Sequence, residues 1–167
     1  MIMQRIIITE ADFSENLKEV ITVKGFDINM LLERLNRTLT KLVESEKLSA
    51  VLEEIKQKEI HLYQHMVSVS ILAQQIALWL KWDEREIECA ALGGLLHDIG
   101  ILHEMEKKKR KLLFKDELEG NCYEKHIAEA HHLLKNLKID MEVIKAVLSH
   151  HERMDGKGFP MRLRGGN

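Results

Sequence analysis

Apolar residues recur at three- and four-residue steps along most of the chain, which is the spacing of helices with one buried face. The pattern starts at Asp27 and predicts a helical hairpin with a turn within residues 45–49. The chain has a single proline, Pro160, so little in it interrupts long helices. The sequence therefore predicts an all-α helical bundle. The apolar positions of the hairpin are Ile28, Leu31, Leu32, Leu35, Leu39, Leu42, Val43, Val51, Leu52 and Ile55.

The next predicted helix runs from about Glu59 to Leu80. Its predicted core stripe consists of Leu62, Met66, Val69, Ala73, Ile76 and Leu80. Two histidines, His61 and His65, are four residues apart on this helix and therefore share one face. Such a pair can hold one metal ion, although it is also a common surface feature.

Asp83 and Glu86 have the spacing of a capping box, which predicts the start of a further helix at this point. That helix ends at the adjacent pair His97 and Asp98, and Gly100 is expected to adopt a left-handed C-cap conformation. An imidazole nitrogen and a carboxylate oxygen side by side can bind or bridge divalent metal ions. The small residues that let another helix approach closely are Ala90, Ala91, Gly93 and Gly94.

Two more helices are predicted in the C-terminal third, each with histidines. The first spans about residues 123–138, with His126 near its start. The second is capped by Asp140 and carries the pair His150 and His151 at its end. Residues 152–160 then form a loop with two glycines and a proline, which favours an unusual backbone path.

The first 26 residues are the least helical part of the chain. The β-branched stretch Arg5–Thr9 could form one edge strand, and Gly25 breaks the pattern before the first long helix. We therefore predict that residues 1–26 are an N-terminal appendage and that residues 27–167 form the main domain.

Composition narrows the function classes. The formal net charge is −2, so no overall field attracts nucleic acid or a membrane surface. The basic run at residues 107–111 is either a solvated face or a rim that attracts an anionic substrate. Cys89 and Cys122 lack metal-type spacing and indicate a reducing compartment. With no apolar run of about 20 residues and no signal-peptide pattern, a cytoplasmic protein is the expectation.

The histidine pattern as a whole resembles the HD superfamily of metal-dependent phosphohydrolases. The intervals are 32 residues from His65 to His97, 28 from Asp98 to His126 and 24 from His126 to His150. Residues 150–160 read HHERMDGKGFP, which resembles the HHExxDGxGYP signature of the HD-GYP branch. Nine histidines in 167 residues could be chance. Six positions that follow one family's order and spacing make chance a poor explanation.

This resemblance implies a bundle with two or three divalent metal ions, usually iron or manganese, and hydrolysis of cyclic di-GMP. The implied metal ligands are His65, His97, Asp98, His126, His150 and His151, with His61 at the place of a glutamate in three-metal members. Asp98 would bridge two ions, and Lys115 matches a family lysine with a catalytic and substrate-binding role. Further implied substrate contacts are Arg153, Asp155, Gly156, Gly158, Phe159 and Pro160.

The implied chemistry is metal-assisted hydrolysis of a phosphodiester. Two cations lower the pKa of a bridging water, and the resulting hydroxide attacks phosphorus in line, so no protein nucleophile is needed.

Three departures from the family pattern favour an alternative. Ile101 replaces the lysine of the HDIGK motif, and Phe159 replaces the tyrosine of the GYP motif. The family also places an aspartate ligand on a later helix, so we expect the domain to be truncated after the GYP-like loop. The alternative is a degenerate domain, weakly active or inactive, that serves as a signalling or interaction module, with a protein partner or as a homodimer. A third possibility is another HD phosphohydrolase such as a nucleotidase, against which the glycine-rich loop argues.

Overall fold

The computed structural model describes residues 7–22, 25–42, 46–105 and 122–165. These ranges contain helices and no strand, which confirms the predicted all-α class. Residues 101–105 are also helical, and a short 3-10 turn covers Glu10–Asp12. The other helices are α1 (Glu15–Val20), α2 (Ile28–Leu42), α3 (Glu46–Lys58), α4 (Ile60–Trp79), α5 (Glu84–Leu96), α6 (Cys122–Leu134) and α7 (Met141–Ser149).

The N-terminal segment packs into the same core as the long helices. Ile8, Phe13 and Leu17 are almost fully buried there. Both the N–H and the carbonyl of Ile8 pair with the Asn36 side chain, at 2.8 Å each. Residues 7–9 form no strand, while Arg5 and Ile6 of the predicted edge strand lie outside the described residues. The predicted domain division after residue 26 stays a prediction, and residues 8–17 contribute to the main core.

Helix α4 is the centre of the bundle, and its buried face differs from the predicted stripe. Ile76 and Leu80 are 51% and 58% exposed, so their assignment to the core was wrong. The polar residues Ser70, Gln74 and Gln75 are buried instead. Apolar periodicity failed here because hydrogen-bonding side chains occupy interior positions, so α4 lacks a single apolar face. The Ser70 hydroxyl, for example, donates to the carbonyl of Ala91 on α5 at 2.7 Å.

Helix α5 lies close against α4, as its small residues predict. A Cβ atom on Gly94 would lie 2.9 Å from the Cα atom of Ser70, so only glycine permits this approach. The predicted capping box is present: Glu86 N–H donates to the Asp83 carboxylate and Asp83 N–H donates to the Glu86 carboxylate, each at 2.9 Å.

The predicted role of Gly100 as a left-handed C-cap was wrong. Its φ is not positive, whereas Gly25 and Gly156 do have positive φ. Gly100 is needed for close packing instead, because a Cβ atom there would overlap the carbonyl oxygen of His126 and lie 2.8 Å from the amide nitrogen of Ala130. The backbone that follows α5 therefore rests directly on the backbone of α6.

The last two helices follow the prediction closely. Helix α6 ends at Leu134 rather than near residue 138, and the following turn leads to α7. Asp140 caps α7 as predicted, since its carboxylate accepts the Glu142 N–H at 3.0 Å. The same carboxylate binds Arg85 of α5 at 2.8 Å, which links the starts of α5 and α7. In the described part of the chain, no helix is both long and apolar enough to cross a membrane.

Candidate metal centre

Four elements of the bundle bring histidines to one place. His65 lies in the first half of α4, and His97 and Asp98 follow directly after α5. His126 lies in the second turn of α6, and the pair His150 and His151 follows α7. The close contacts at Gly94 and Gly100 bring these elements together, because each removes a side chain from between two backbones.

The Asp98 carboxylate is the centre of this arrangement. One oxygen, Oδ2, lies 3.1 Å from His97 Nε2 and 3.7 Å from His65 Nε2. The other oxygen, Oδ1, lies 3.6 Å from His126 Nε2 and 3.7 Å from His150 Nε2. Each oxygen therefore faces its own pair of imidazoles, and the carboxylate divides the site into two halves.

The potential ligand atoms form two clusters that share Asp98. The outer cluster contains His65, His97 and Asp98, and the inner cluster contains Asp98, His126, His150 and His151. Within each cluster, one ligand atom from every residue lies within 4.8 Å of all the others. The structure thus brings together all six ligands that the resemblance implied, and the additional candidate His61 belongs to neither cluster.

Backbone carbonyls orient two of the imidazoles. The Nδ1 atom of His97 lies 2.8 Å from the Gly94 carbonyl oxygen, and the Nδ1 atom of His150 lies 2.8 Å from the Val147 carbonyl oxygen. A carbonyl oxygen can only accept, so both Nδ1 atoms carry a hydrogen and both Nε2 atoms face the site, where each can bind a metal ion once it carries no proton. This is the usual way in which proteins fix the tautomer of a metal-binding histidine.

The spacing of the nitrogen atoms fits a shared cation in each half. The Nε2 atoms of His65 and His97 are 3.2 Å apart, and those of His126 and His150 are 3.4 Å apart. Two nitrogens bound to one ion at about 2.0–2.1 Å are separated by about 3.0–3.4 Å at ordinary coordination angles. Imidazole nitrogen with carboxylate oxygen suits divalent iron, manganese or zinc. The donor set and its geometry therefore fit divalent metal ions.

The site is electrostatically suited to an anionic carboxylate among imidazoles. Burial alone would raise the pKa of Asp98, but the hydrogen bond from His97 and the nearby imidazoles bring that pKa below its ordinary value. Burial has the opposite effect on a histidine, because it disfavours the protonated form. It lowers the pKa of His150 and His151, and repulsion between neighbouring imidazoles lowers them further. For His97 the Asp98 carboxylate outweighs burial and raises the pKa. Asp98 is thus ionised and the two C-terminal histidines are biased toward their neutral, ligating form.

The two clusters differ in their access to solvent. The His126 side chain is 2% exposed and the His150 side chain 17%. The His65 side chain is 55% exposed at the other side of Asp98. The outer cluster is therefore open to solvent at His65, whereas the inner cluster is closed off at His126.

The loop after α7 covers the inner cluster. The Phe159 ring stacks on the His151 imidazole, with ring centroids 4.5 Å apart and an interplanar angle of 20°. Arg153 and Asp155 pair with each other at the surface, at 2.9 and 3.1 Å. The loop also contains a cavity of about 470 Å³. This cavity is lined by Gly156, Lys157, Gly158, Phe159, Pro160 and Arg162.

Several predicted site residues remain outside the clusters. His61 is exposed one helical turn before His65 and belongs to neither cluster, so its role as a ligand stays a prediction. Lys115 lies outside the described residues. Substrate contacts from Arg153, Asp155 and the cavity-lining residues also stay predictions.

Sequence reasoning missed three charged residues of the loop. Lys157 and Arg162 line the cavity, and Glu152 accepts two backbone hydrogen bonds across the loop. Lys157 and Glu152 lie inside the recognised signature, but no periodicity shows which side of an irregular loop a residue faces. Of the three, only Glu152 could have been found from the sequence, because the HD-GYP signature has a glutamate directly after the two histidines.

Comparison with known proteins agrees with the geometry. The sequence model of a family described as an HD domain matches residues 49–167. Over 103 residues, 62% of this chain, it is 33% identical to 3'3'-cGAMP-specific phosphodiesterase 1 of Vibrio cholerae. Over 110 residues, 65% of the chain, it is 31% identical to a cyclic di-GMP phosphodiesterase of Pseudomonas aeruginosa. A second 3'3'-cGAMP-specific phosphodiesterase of Vibrio cholerae is 26% identical over 166 residues, 93% of the chain.

These relatives are much longer than the regions that match. The aligned part covers 24%, 27% and 30% of their respective lengths. No solved structure matches the chain. The resemblance to the HD superfamily that the histidine pattern predicted is confirmed, and the names of the relatives are consistent with its HD-GYP branch.

Proposed function

Because this chain belongs to the HD domain family, we propose that it is a metal-dependent phosphodiesterase that hydrolyses cyclic di-GMP or a related cyclic dinucleotide. The observation that carries this proposal is the Asp98 carboxylate, whose two oxygens each face a separate pair of imidazoles. These residues would hold two divalent ions close together, which would supply the chemistry of two-metal hydrolysis of a phosphodiester.

The side chains of this protein would hold the ions and orient the substrate. Divalent ions bound here supply Lewis acidity, which lowers the pKa of water and neutralises charge on the phosphate. His97 and His150 present their Nε2 lone pairs because backbone carbonyls fix their tautomers. The exposed side at His65 leaves room for a substrate phosphate to approach Asp98. We assign no protein nucleophile.

The choice of substrate rests on the relatives and on charge. Proteins named as phosphodiesterases of cyclic di-GMP and of 3'3'-cGAMP align with this chain over 110 and 103 residues. Lys157 and Arg162 place positive charge beside the cavity of the loop, which suits an anionic phosphodiester. We therefore include the predicted substrate contacts of Lys115, Arg153 and residues 155–160 in the proposal.

The cofactor and the cellular setting are proposed in the same way. Iron or manganese fits the mixture of imidazole and carboxylate donors, and the count is two ions, or three if His61 also binds. A cytoplasmic location follows from the two cysteines without disulfide or metal spacing.

One observation favours a second function. Ile101 occupies the place of the HDIGK lysine, and its side chain cannot replace the lost positive charge. The second candidate is therefore a degenerate HD-GYP domain that holds metal or nucleotide without turnover and acts through a signalling partner or as a homodimer.

The test is hydrolysis by protein that has been purified without oxygen and loaded with Fe(II) or Mn(II). We expect release of linear dinucleotide or mononucleotide from cyclic di-GMP or 3'3'-cGAMP. His97→Ala should reduce the rate by at least about 100-fold, because it removes a ligand from the bridged site. His132→Ala is the matched control, since His132 is exposed on α6 and belongs to neither cluster. Wild-type protein that retains metal but cleaves neither nucleotide would favour the second candidate.

A further inference from the structure

The loop after α7 is closed by one carboxylate. Glu152 Oε1 accepts the N–H of Met161 at 2.6 Å, and Glu152 Oε2 accepts the N–H of Leu163 at 2.9 Å. Both donors lie on the returning limb of the loop, nine and eleven residues further along the chain. Hydrogen bonds from backbone N–H groups to a charged carboxylate are among the stronger kinds. Glu152 therefore ties the two limbs of the loop together.

The two limbs of the loop are also in direct backbone contact. Gly158 packs so closely on the first limb that a Cβ atom there would lie 2.5 Å from both the Glu152 Cα atom and the His151 carbonyl oxygen. The Phe159 N–H donates to the same carbonyl oxygen of His151 at 3.3 Å. The returning limb thus lies on the backbone of the residues it must position.

The tie ends at a candidate metal ligand. Phe159 lies between Gly158 and the Glu152-bound segment, and its ring stacks on the His151 imidazole at 4.5 Å. His151 belongs to the inner cluster with Asp98, His126 and His150. No backbone-carbonyl bond to its ring corresponds to those that orient His97 and His150 among the contacts of the described residues. The Phe159 ring is the neighbour that faces the His151 ring most nearly in parallel.

We propose that Glu152 is a positioning residue for the inner half of the site. Its carboxylate holds the returning limb in place, the limb holds Phe159, and Phe159 holds the His151 imidazole toward Asp98. The link to metal rests on the proposed function, whereas the link from Glu152 to the His151 ring does not. The ion pair of Arg153 with Asp155 does not provide this link, because it joins two exposed residues of the same limb.

The variant that isolates the two hydrogen bonds is Glu152→Gln. Glutamine has nearly the same shape, but one oxygen becomes an NH₂ group that faces a backbone N–H and cannot accept from it. Glu33→Gln is the matched control, because Glu33 is an exposed carboxylate on α2 whose partner is Arg37, remote in sequence from the loop. Phe159→Leu is the second variant, since it keeps an apolar side chain and the Glu152 bonds but removes the stacked ring.

The first measurement uses metal-free protein and NMR. In Glu152→Gln we expect whichever of the Met161 and Leu163 amides faces the new NH₂ group to exchange with solvent at least about tenfold faster than in wild type and in Glu33→Gln. The ring signals of His151 should lose the ring-current shift from Phe159. In Phe159→Leu the ring signals should shift while both amides stay protected. Unchanged amide exchange, or unchanged His151 ring signals in Glu152→Gln, would overturn the proposal.

The second measurement is Mn(II) binding, followed by the electron paramagnetic resonance signal of free Mn(II). Glu152→Gln and Phe159→Leu should each lower the affinity for one equivalent of Mn(II) by about tenfold, as is typical when support for a metal ligand is lost. Affinity within twofold of wild type in both variants would overturn the positioning role. Wild-type protein that binds no Mn(II) would instead contradict the proposed function, and the His151 ring signals would still decide the proposal for Glu152.

Discussion

The two halves of the site around Asp98 are built in different ways. The outer cluster uses His65 from an exposed position on α4. The inner cluster uses His126 from the interior, where the backbone at Gly100 lies directly on the His126 carbonyl oxygen. The inner half therefore includes a core position at His126, whereas the outer half includes an exposed position at His65. A change at His126 should affect folding and metal together, and a change at His65 should affect metal alone.

The largest effect is expected from Gly100→Ala. The added methyl group would overlap the backbone of α6 at His126, so the helix must move away from Asp98. Overpacking against backbone should lower the free energy of unfolding by about 3 kcal/mol. It should also remove the inner metal equivalent.

Urea unfolding of metal-free protein and metal analysis together check the effect of Gly100→Ala. Ala128→Gly, on the exposed face of α6, is the control and should cost no more than about 1 kcal/mol. Equal stability of the two variants would argue that Gly100 does not set the position of α6.

A pair of histidine variants separates the halves. His126→Ala should lower the free energy of unfolding by about 2 kcal/mol, because it empties an interior position, and should remove the inner equivalent of metal. His65→Ala should change the free energy of unfolding by no more than about 0.5 kcal/mol and should remove the outer equivalent of metal. Denaturant titration with metal analysis on both variants measures this contrast. If the two variants were equally stable, the distinction between core and surface halves would be lost.

These contrasts show what sequence alone could and could not predict. The capping box of Asp83 with Glu86 and the cap of Asp140 were predictable, because capping depends on residues a few positions apart. The grouping of the histidines was predictable from a family pattern. The packing role of Gly100 was not, because it arises from a contact with His126, 26 residues away in the sequence.

The buried face of α4 shows the same limit. Ile76 and Leu80 continue an apolar period yet are exposed, while Gln74 and Gln75 are buried. The packing of neighbouring helices decides such positions, and that packing is not visible in a hydropathy pattern. The hydrogen bonds of Glu152 across the loop were equally beyond prediction, because the two amides it binds belong to backbone whose path is irregular.

Removal of metal by a chelator should sharpen the comparison further. An ion in the outer cluster would be open to solvent at His65, whereas an ion in the inner cluster would bind beside the buried His126. We expect release in two phases whose rates differ by at least about tenfold, since enclosure limits solvent access. Stopped-flow mixing of Mn(II)-loaded protein with a chelator measures both phases. His65→Ala should lack the fast phase, and a single phase in wild type would contradict the difference in enclosure.

The smallest effect concerns the support of the inner half at the start of α7. The hydrogen bond from Arg85 and the capped Glu142 N–H hold the pKa of Asp140 below its ordinary value. A lowered carboxyl pKa contributes stability above the unfolded value of about 3.9, and this contribution is lost as the pH falls through the folded value. Asp140→Asn keeps the cap but loses the charge. Its melting temperature should be slightly below that of wild type at pH 7, and the two should converge as the pH falls through the lowered pKa of folded Asp140.

A melting-temperature difference for Asp140→Asn that persisted unchanged at low pH would show that the Arg85 ion pair is not its cause. Glu33→Gln serves here as a control for loss of an exposed carboxylate.

The most direct test of the account is the metal stoichiometry of Asp98→Asn beside His65→Ala, determined by mass spectrometry after purification without oxygen. One carboxylate shared by two clusters predicts that wild type carries two or more equivalents, that His65→Ala loses one, and that Asp98→Asn loses both. Less than about half an equivalent of any transition metal in wild type, or an Asp98→Asn variant that retains its metal, would contradict the account.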